Sequence, residues 1–193
     1  MPPKLKFTKR ELIDSAFNLV RYKGWNTLST RTLASELGSS ARPIYSFFKS
    51  MDDLEEELVK RSYDLLYEYM IRKRTGDLWI DHGIGYVIFA QEEKYLYRGI
   101  NNEKNIKYFP VYGQRAWDTC TDSLSDYPRF QGLTEEQIYQ IQANRLFFAH
   151  GLAFHVSNSP PDVWDGDKIA LIIQQGSVAI YEGLKKQFMA NTK

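Results

Sequence analysis

Apolar residues recur along most of the chain with the 3.6-residue period of an amphipathic helix, and the first such segment is sharply bounded. Thr8 and Glu11 have the spacing of a capping box, and Phe7 and Leu12 stand at the two positions of a hydrophobic staple. The apolar stripe that follows consists of Leu12, Ile13, Ala16, Phe17, Leu19 and Val20. Gly24 supplies the C-terminal stop. The pattern predicts a helix that ends just before Gly24.

Two short helices are predicted next. Ser29 is the expected N-cap of the first, which buries Leu33, Ala34 and Leu37 and stops at Gly38. Ser40 is the expected cap of the second, which carries Ile44, Phe47 and Phe48. Two short helices joined by a tight turn at a glycine form the helix-turn-helix pattern.

The rest of the chain also predicts helices. Ser50 and Asp53 have capping-box spacing and open a long helix that is expected to end at the basic run 72–74, before Gly76. Further helices are predicted over 78–91, 93–101, 106–126 with a bend near Pro110, about 135–156 after a capping box at Thr134 and Gln137, and 166–189. No segment alternates like a strand. The predicted fold is all-α with about nine helices.

Charge is unevenly distributed along the chain. The formal net charge is +1, but residues 1–51 hold nine Lys/Arg against three Asp/Glu, and residues 52–193 hold sixteen against twenty-one. A basic N-terminal segment followed by an acidic remainder indicates that only the N-terminal segment binds a polyanion.

Several classes of protein are excluded or disfavoured. The chain has no signal-peptide pattern and no run of eighteen apolar residues, so no membrane association and a cytoplasmic location are expected. A single cysteine, Cys120, allows no intramolecular disulfide, and its acidic neighbours are expected to raise the pKa of its thiol. His150 and His155 are five residues apart, which is not a zinc-helix spacing, and no phosphate loop or nucleophile elbow occurs. No enzyme activity, metal or cofactor is therefore expected.

The first fifty-four residues resemble the DNA-binding domain of the TetR/AcrR regulators. The resemblance is carried by Ile13-x-x-Ala16-x-x-Leu19, Gly24, Ser29-x-Arg31-x-Leu33-Ala34-x-x-Leu37-Gly38 and Ser40-x-x-x-Ile44-Tyr45-x-x-Phe48-Lys49-Ser50-x-x-x-Leu54. It implies a three-helix DNA-binding domain over 1–51 and a larger helical ligand-binding and dimerisation domain over 52–193. It also implies a transcription regulator, usually a repressor released from its operator by a small molecule. A regulator without a small-molecule ligand and an activator remain alternatives.

A helix-turn-helix lays its second helix in the major groove, here about residues 40–47. Arg42, near the start of that helix, is long enough to reach a guanine edge. The resemblance implies phosphate contacts for Tyr45 and Lys49 and a DNA-proximal position for Arg31. Lys6, Lys9 and Arg10 add sequence-independent attraction. The candidate DNA-contacting residues are Lys9, Arg31, Ser40, Ala41, Arg42, Pro43, Tyr45 and Lys49.

Four positions depart from the family's usual residues. Phe47 and Met51 replace residues that commonly contact phosphate, and Ser39 replaces a usual valine in the turn. Pro43 falls in the first turn of the helix, where a missing amide is tolerated. These departures are expected to change the operator that is read and to leave the fold intact.

The larger domain is rich in aromatic residues, of which seven lie in 1–51 and twenty-one beyond. Aromatic side chains with a few polar groups commonly line small-molecule cavities, and the family places its cavity among the middle helices. A partly apolar or aromatic ligand is expected. The candidate ligand-binding residues are Tyr86, Phe89, Tyr112, Arg115, Trp117, Asn144, Phe147 and His150.

The last two helices resemble the pair through which relatives form homodimers. Their small residues are Ala143, Gly151 and Ala153 on one helix and Gly176, Ala179 and Gly183 on the other. A palindromic operator also requires two reading helices, which favours a twofold dimer. The expected partners are double-stranded operator DNA, a second copy of the chain and the small molecule.

Overall fold

The computed structural model describes residues 7–124 and 126–191, and within them the protein is all-α. The nine helices are α1 (Lys9–Lys23), α2 (Thr30–Glu36), α3 (Arg42–Phe47), α4 (Met51–Met70), α5 (Leu78–Glu92), α6 (Lys94–Ile100), α7 (Gln114–Asp122), α8 (Glu135–Asn158) and α9 (Gly166–Asn191). No strand occurs in the described residues. The predicted fold class and number of helices are confirmed. None of the described helices is long and apolar enough to cross a bilayer.

Four helices begin where their caps predict. At α4, which starts directly after Ser50, the Ser50 hydroxyl accepts from the Asp53 amide at 3.1 Å. The Thr8 hydroxyl accepts from the Glu11 amide while the Glu11 carboxylate accepts from the Thr8 amide at 2.7 Å. Ser29 forms the same reciprocal pair with Thr32, and Thr134 forms it with Gln137. Capping in each case satisfies amides that have no partner within the helix, so these starts are determined locally.

The predicted cap at Ser40 is wrong, because α3 begins at Arg42 with Ala41 at the N-cap position and no side-chain cap. A cap at Ser40 would have Pro43 as its third helical residue, and proline has no amide hydrogen to donate. Ser40 is therefore left exposed in the turn, and Pro43 lies in the first turn of α3.

The long helix α4 ends at Met70 rather than at the basic run 72–74. The amides of Arg74 and Thr75 donate to the carboxylate of Asp81 at 2.9 and 2.8 Å, and Asp81 is 1% exposed. This buried carboxylate at the start of α5 holds the connecting segment in a turn. Only the tertiary structure brings Asp81 to this segment. The local sequence pattern therefore predicted a helix that is too long.

The predicted bend near Pro110 is confirmed and involves a longer segment than one residue. A 3₁₀ turn over Ile106–Tyr108 passes into a π-helical turn over Phe109–Gly113, and regular helix resumes only at Gln114. A Cβ at Gly113 would lie 2.4 Å from the Phe109 ring, so this turn requires glycine.

The chain divides into two compact units, each built from two stretches of sequence. Unit 1 consists of Met1–Asp64 and Glu93–Gln114, and unit 2 consists of Leu65–Glu92 and Arg115–Lys193. In unit 1, α6 packs against α1, the Trp25 indole donates to the Tyr95 carbonyl at 3.0 Å, and Arg21 pairs with buried Glu93. In unit 2, α5 packs against α8 and α9. Whether the functional boundary lies at residue 51 remains a prediction.

Candidate nucleic-acid interface

The turn between α2 and α3 is compact. The Ser39 amide donates to the Ala34 carbonyl at 2.9 Å, and Gly38 adopts a φ of +56°. This left-handed conformation at the end of a helix is one that glycine adopts at little cost. The turn brings α3 directly after α2, in the order that a helix-turn-helix requires.

One face of α3 is buried and the other is exposed. Ile44 is fully buried and Phe48, just past the helix, is 5% exposed, so these two side chains anchor α3 in unit 1. Arg42 and Tyr45 are exposed and lie three residues apart, on one face of the helix. Lys49 is also exposed and follows the end of α3.

The hydroxyl of Tyr45 lies 2.9 Å from that of Thr30, the first residue of α2, and Tyr45 is 53% exposed. The pair places two hydroxyl groups side by side on the surface, each with further hydrogen-bonding capacity. Thr30 was not among the sequence candidates. Its position just after the Ser29 cap was the available signal, but its proximity to Tyr45 depends on the tertiary fold.

The other candidates are distributed around this face. Arg31 is exposed, and Ala41 and Pro43 are half-buried. The Lys9 ammonium pairs with Glu57 at 3.0 Å and lies 5.1 Å from the centre of the Phe48 ring. Lys9 thus has an intramolecular partner that a phosphate contact must displace. Lys6 lies outside the described residues.

The structure brings together two of the ligand-binding candidates in unit 2. The Tyr86 hydroxyl and His150 Nδ1 form a 2.8 Å hydrogen bond between α5 and α8. Burial lowers the pKa of His150. Phe89 is fully buried and packs edge-on against Tyr69, with ring centres 5.6 Å apart.

The remaining ligand-binding candidates lie apart from this pair. Arg115, Asn144 and Phe147 are exposed, Phe147 by 73%. Trp117 packs edge-on against the exposed Tyr139. Tyr112 belongs to unit 1, where its pKa rises to about 12 through burial and through donation to Glu56 at 2.9 Å. The eight candidates therefore do not form one cluster.

Cys120 is buried, and its pKa rises to about 11 because burial penalises the thiolate. The direction agrees with the expectation from sequence, but the cause is desolvation rather than the neighbouring acidic residues. A thiol with this pKa is protonated at neutral pH and is a poor nucleophile.

A compact helix-turn-helix with an exposed arginine, tyrosine and lysine defines a DNA-binding protein, and comparison with known proteins agrees. Residues 12–58 match the sequence model of the bacterial regulatory proteins of the tetR family. An uncharacterized HTH-type transcriptional regulator of Haemophilus influenzae is 34% identical over 152 residues, covering 72% of each chain. A transcriptional regulator from Rhodococcus sp. Rha1 shares the fold, with a TM-score of 0.63, 14% identity, and coverage of 91% of this chain and 97% of that one.

The chain belongs to the TetR family of transcriptional regulators. The resemblance inferred from the sequence is confirmed, and with it DNA-binding regulation of transcription as the general function.

Proposed function

We propose that the protein is a homodimeric, cytoplasmic repressor that reads a twofold operator with α3 and is released from it by a small molecule bound in unit 2. The observation that carries this proposal is the exposed face of α3, where Arg42 and Tyr45 lie side by side above the buried anchor Ile44.

Arg42 is the base-reading residue in this proposal, because its guanidinium can donate two hydrogen bonds to the O6 and N7 atoms of guanine. The Tyr45 and Thr30 hydroxyls, 2.9 Å apart, together bind one phosphate. Lys49 and Arg31 bind neighbouring phosphates and supply the salt-dependent part of the affinity. Ser40, Ala41 and Pro43 lie beside the first turn of α3, where they contact the edges of the groove.

The dimer forms through exposed faces of α8 and α9. Phe147 and Phe154 are 73% and 63% exposed on α8, and a Cβ at Gly151 between them would meet open space. On α9, Leu171 is 53% exposed and Gly183 is likewise open. Exposed phenylalanines next to glycines suit close packing against a second copy.

Ala153 and Gly176 have another role from that expected. Ala153 is fully buried, and a Cβ at Gly176 would lie 2.3 Å from the Phe148 ring. Gly176 packs against α8 within unit 2 and Ala153 is inside the monomer, so the proposed dimer contacts rest on the exposed residues.

The inducer is recognised in unit 2, where the Tyr86–His150 hydrogen bond joins α5 to α8. A ligand with different affinities for the DNA-bound and free states shifts the equilibrium between them, and coupling of about 1–3 kcal/mol weakens operator binding about 5- to 150-fold.

The test is fluorescence anisotropy of a labelled operator duplex with the intact protein and a chemically diverse set of small molecules. We expect at least one compound to weaken operator binding at least about fivefold, and operator DNA to weaken binding of that compound by the same factor. Compounds that strengthen binding identify an activator or a co-repressor. Operator affinity that no compound changes favours a regulator without a small-molecule ligand.

A further inference from the structure

Unit 2 encloses an arginine that has no ion-pair partner among the described residues. Arg145, on α8, is 6% exposed. Its Nη1 donates to the Trp79 carbonyl at 2.9 Å, but its Nε has no hydrogen-bond partner. A buried charge is costly unless it is paired and its donors are satisfied.

Further unsatisfied polar atoms belong to the same region. Trp79 Nε1 and both ring nitrogens of His82 have no hydrogen-bond partner, and these two residues are at most 1% exposed. The Arg145 guanidinium lies 5.1 Å from the Trp79 ring. Burial and the charge of Arg145 both lower the pKa of His82, to about 4. We call Trp79, His82 and Arg145 the Arg145 cluster.

Helix α9 closes the region. A Cβ at Gly83, next to His82, would lie 2.7 Å from Arg145 Nη1 and 2.9 Å from Ile173 Cγ2. Ser177 follows Ile173 by one helical turn, is fully buried, and has no partner for its hydroxyl. Helices α5, α8 and α9 therefore each contribute an unsatisfied donor.

The Arg145 cluster carries one positive charge at neutral pH. Burial lowers the pKa of Arg145 only to about 10, so the guanidinium stays protonated, whereas His82 is neutral. The Asp77 carboxylate, which interacts electrostatically with Arg145, already accepts from the Tyr127 hydroxyl at 2.8 Å and has Arg129 at 3.9 Å. The cluster thus has an excess of donors and of positive charge.

Apolar rings surround the tryptophan of the cluster. Trp79 contacts Phe130 and Tyr181 edge-on, with ring centres 5.6 and 6.4 Å apart, and Tyr127 at 6.1 Å. A complementary molecule needs one negative charge on a planar acceptor for the guanidinium and an apolar body for the rings.

We propose that the Arg145 cluster binds the carboxylate of a small organic acid whose apolar part packs against the rings around Trp79. This inference rests on the proposed function, because the acid is the inducer of that function. The carboxylate accepts from Arg145 Nε, Trp79 Nε1 and the His82 ring, and so satisfies the donors that the protein leaves open.

Removing the charge of Arg145 is not expected to destabilise the ligand-free protein. Replacing a buried, unpaired charge by a side chain of similar shape removes a desolvation cost. Arg145→Met therefore unfolds at a temperature no lower than wild type does without ligand, although it loses the carboxylate site.

The test is thermal unfolding and calorimetry of the full chain at pH 7 with sodium benzoate and sodium decanoate, each compared with its neutral amide. At a hundredfold excess over Kd, we expect at least one acid to raise the Tm of wild type by about 5–10 °C and its amide to leave the Tm unchanged. Arg145→Met binds the acid at least about thirtyfold more weakly. The matched control Arg72→Met, at an exposed arginine just after α4 in the same unit, binds as wild type.

Arg145→Lys controls for a folding defect in Arg145→Met. Because lysine keeps the positive charge, this variant must keep part of the preference for the acid over the amide. The proposal is overturned if neither acid binds wild type, if acids and amides bind equally, or if Arg145→Met binds the acid as wild type does. If a neutral compound releases the operator while both acids fail to bind, the proposed function is supported and the carboxylate site is ruled out. If an acid binds through Arg145 but leaves operator affinity unchanged, the carboxylate site is supported and its role in induction is ruled out.

Discussion

Tyr45 illustrates how little of a side chain's role is determined by local periodicity. A tyrosine in a short apolar helix is by default a core residue, yet Tyr45 is half exposed with its hydroxyl beside that of Thr30. The buried side chain of α3 is instead that of Ile44, the residue before Tyr45. The exposed side of α3 therefore carries Arg42 and Tyr45, to which we assign base reading and phosphate binding in the proposed function.

Arg42→Ala and Tyr45→Phe separate these two roles. We expect Arg42→Ala to relax the preference at one base pair per half-site, at a cost of about 1–3 kcal/mol for the preferred sequence. Tyr45→Phe lowers affinity for all sequences alike, because phosphate contacts carry no base information. Anisotropy with operators substituted at each base pair measures both effects. If Arg42→Ala prefers the same base at every position as wild type does, Arg42 does not read a base.

His82 makes stability depend on pH. Its pKa is about 4 in the folded protein and near 6.5 when unfolded, so the unfolded chain binds more protons between these values. Stability is unaffected by His82 above pH 6.5 and falls by roughly 3 kcal/mol as the pH drops to 4. Arg145 and Asp81 are the charged groups that act on it.

Urea unfolding from pH 7 to pH 4 measures this effect. We expect His82→Gln to lose less stability over the interval than wild type, and His155→Gln, at an exposed histidine of α8, to follow wild type. Parallel pH profiles for wild type and His82→Gln would mean that the buried imidazole does not titrate as described.

Sequence predicts individual residues best where the interaction is local. The caps at Thr8, Ser29, Ser50 and Thr134 connect residues three apart and are confirmed, and only the cap at Ser40 is wrong. Pairings across the fold, such as Lys9 with Glu57 or Arg145 with the Trp79 carbonyl, have no local signature. The candidate DNA-contacting face was therefore largely predictable, whereas the buried cluster in unit 2 was not.

At the scale of elements, α6 packs against α1 and against the turn at Trp25 in unit 1. The Trp25 indole lies between α1 and α2 in sequence and donates to the Tyr95 carbonyl of α6. A Cβ at Gly99 would lie 1.6 Å from the Trp25 Nε1 atom, so only glycine allows this packing. The packing of α1 and of the turn at Trp25 thus depends on a helix that lies 70 residues further along the chain.

Gly99→Ala tests this dependence. Forcing the Trp25 ring away costs about 1–3 kcal/mol, as overpacking in a core typically does. We expect a lower Tm together with weaker operator binding. Gly166→Ala, where a Cβ meets open space, is the matched control and retains both properties. Wild-type behaviour in Gly99→Ala would show that α6 does not hold the DNA-binding helices in place.

Element boundaries were predicted less well where a specific side chain, rather than the hydrophobic period, decides them. The end of α4 at Met70 is determined by Asp81, which captures the amides of Arg74 and Thr75. The start of α3 depends on Pro43, whose missing amide makes a cap at Ser40 ineffective. Every helix was nevertheless predicted, although α5 is buried along a continuous run from Trp79 to Gly85 and has no single apolar face.

For the whole molecule, the charge asymmetry and the family match both assign DNA binding to the N-terminal segment. The match covers residues 12–58, and the basic excess lies in 1–51. Unit 1 also includes Glu93–Gln114, which returns to the first helices after α5. A domain boundary placed at residue 51 cannot describe a unit built from two separate stretches of sequence. The hydrophobic period predicts helices but does not indicate which helices pack together.

If two copies of the protein read a twofold operator with α3, selection of random DNA duplexes by the protein enriches an inverted repeat. Its half-site centres are expected to lie about 10–10.5 bp apart, or a multiple of that spacing, because the dimer presents two α3 helices to successive major grooves. Phe147→Glu, which places charge on the proposed dimer face, is expected to abolish this enrichment. Enrichment of a single unrepeated motif, or no enrichment by the wild-type protein, would show that the protein does not read DNA as a twofold dimer.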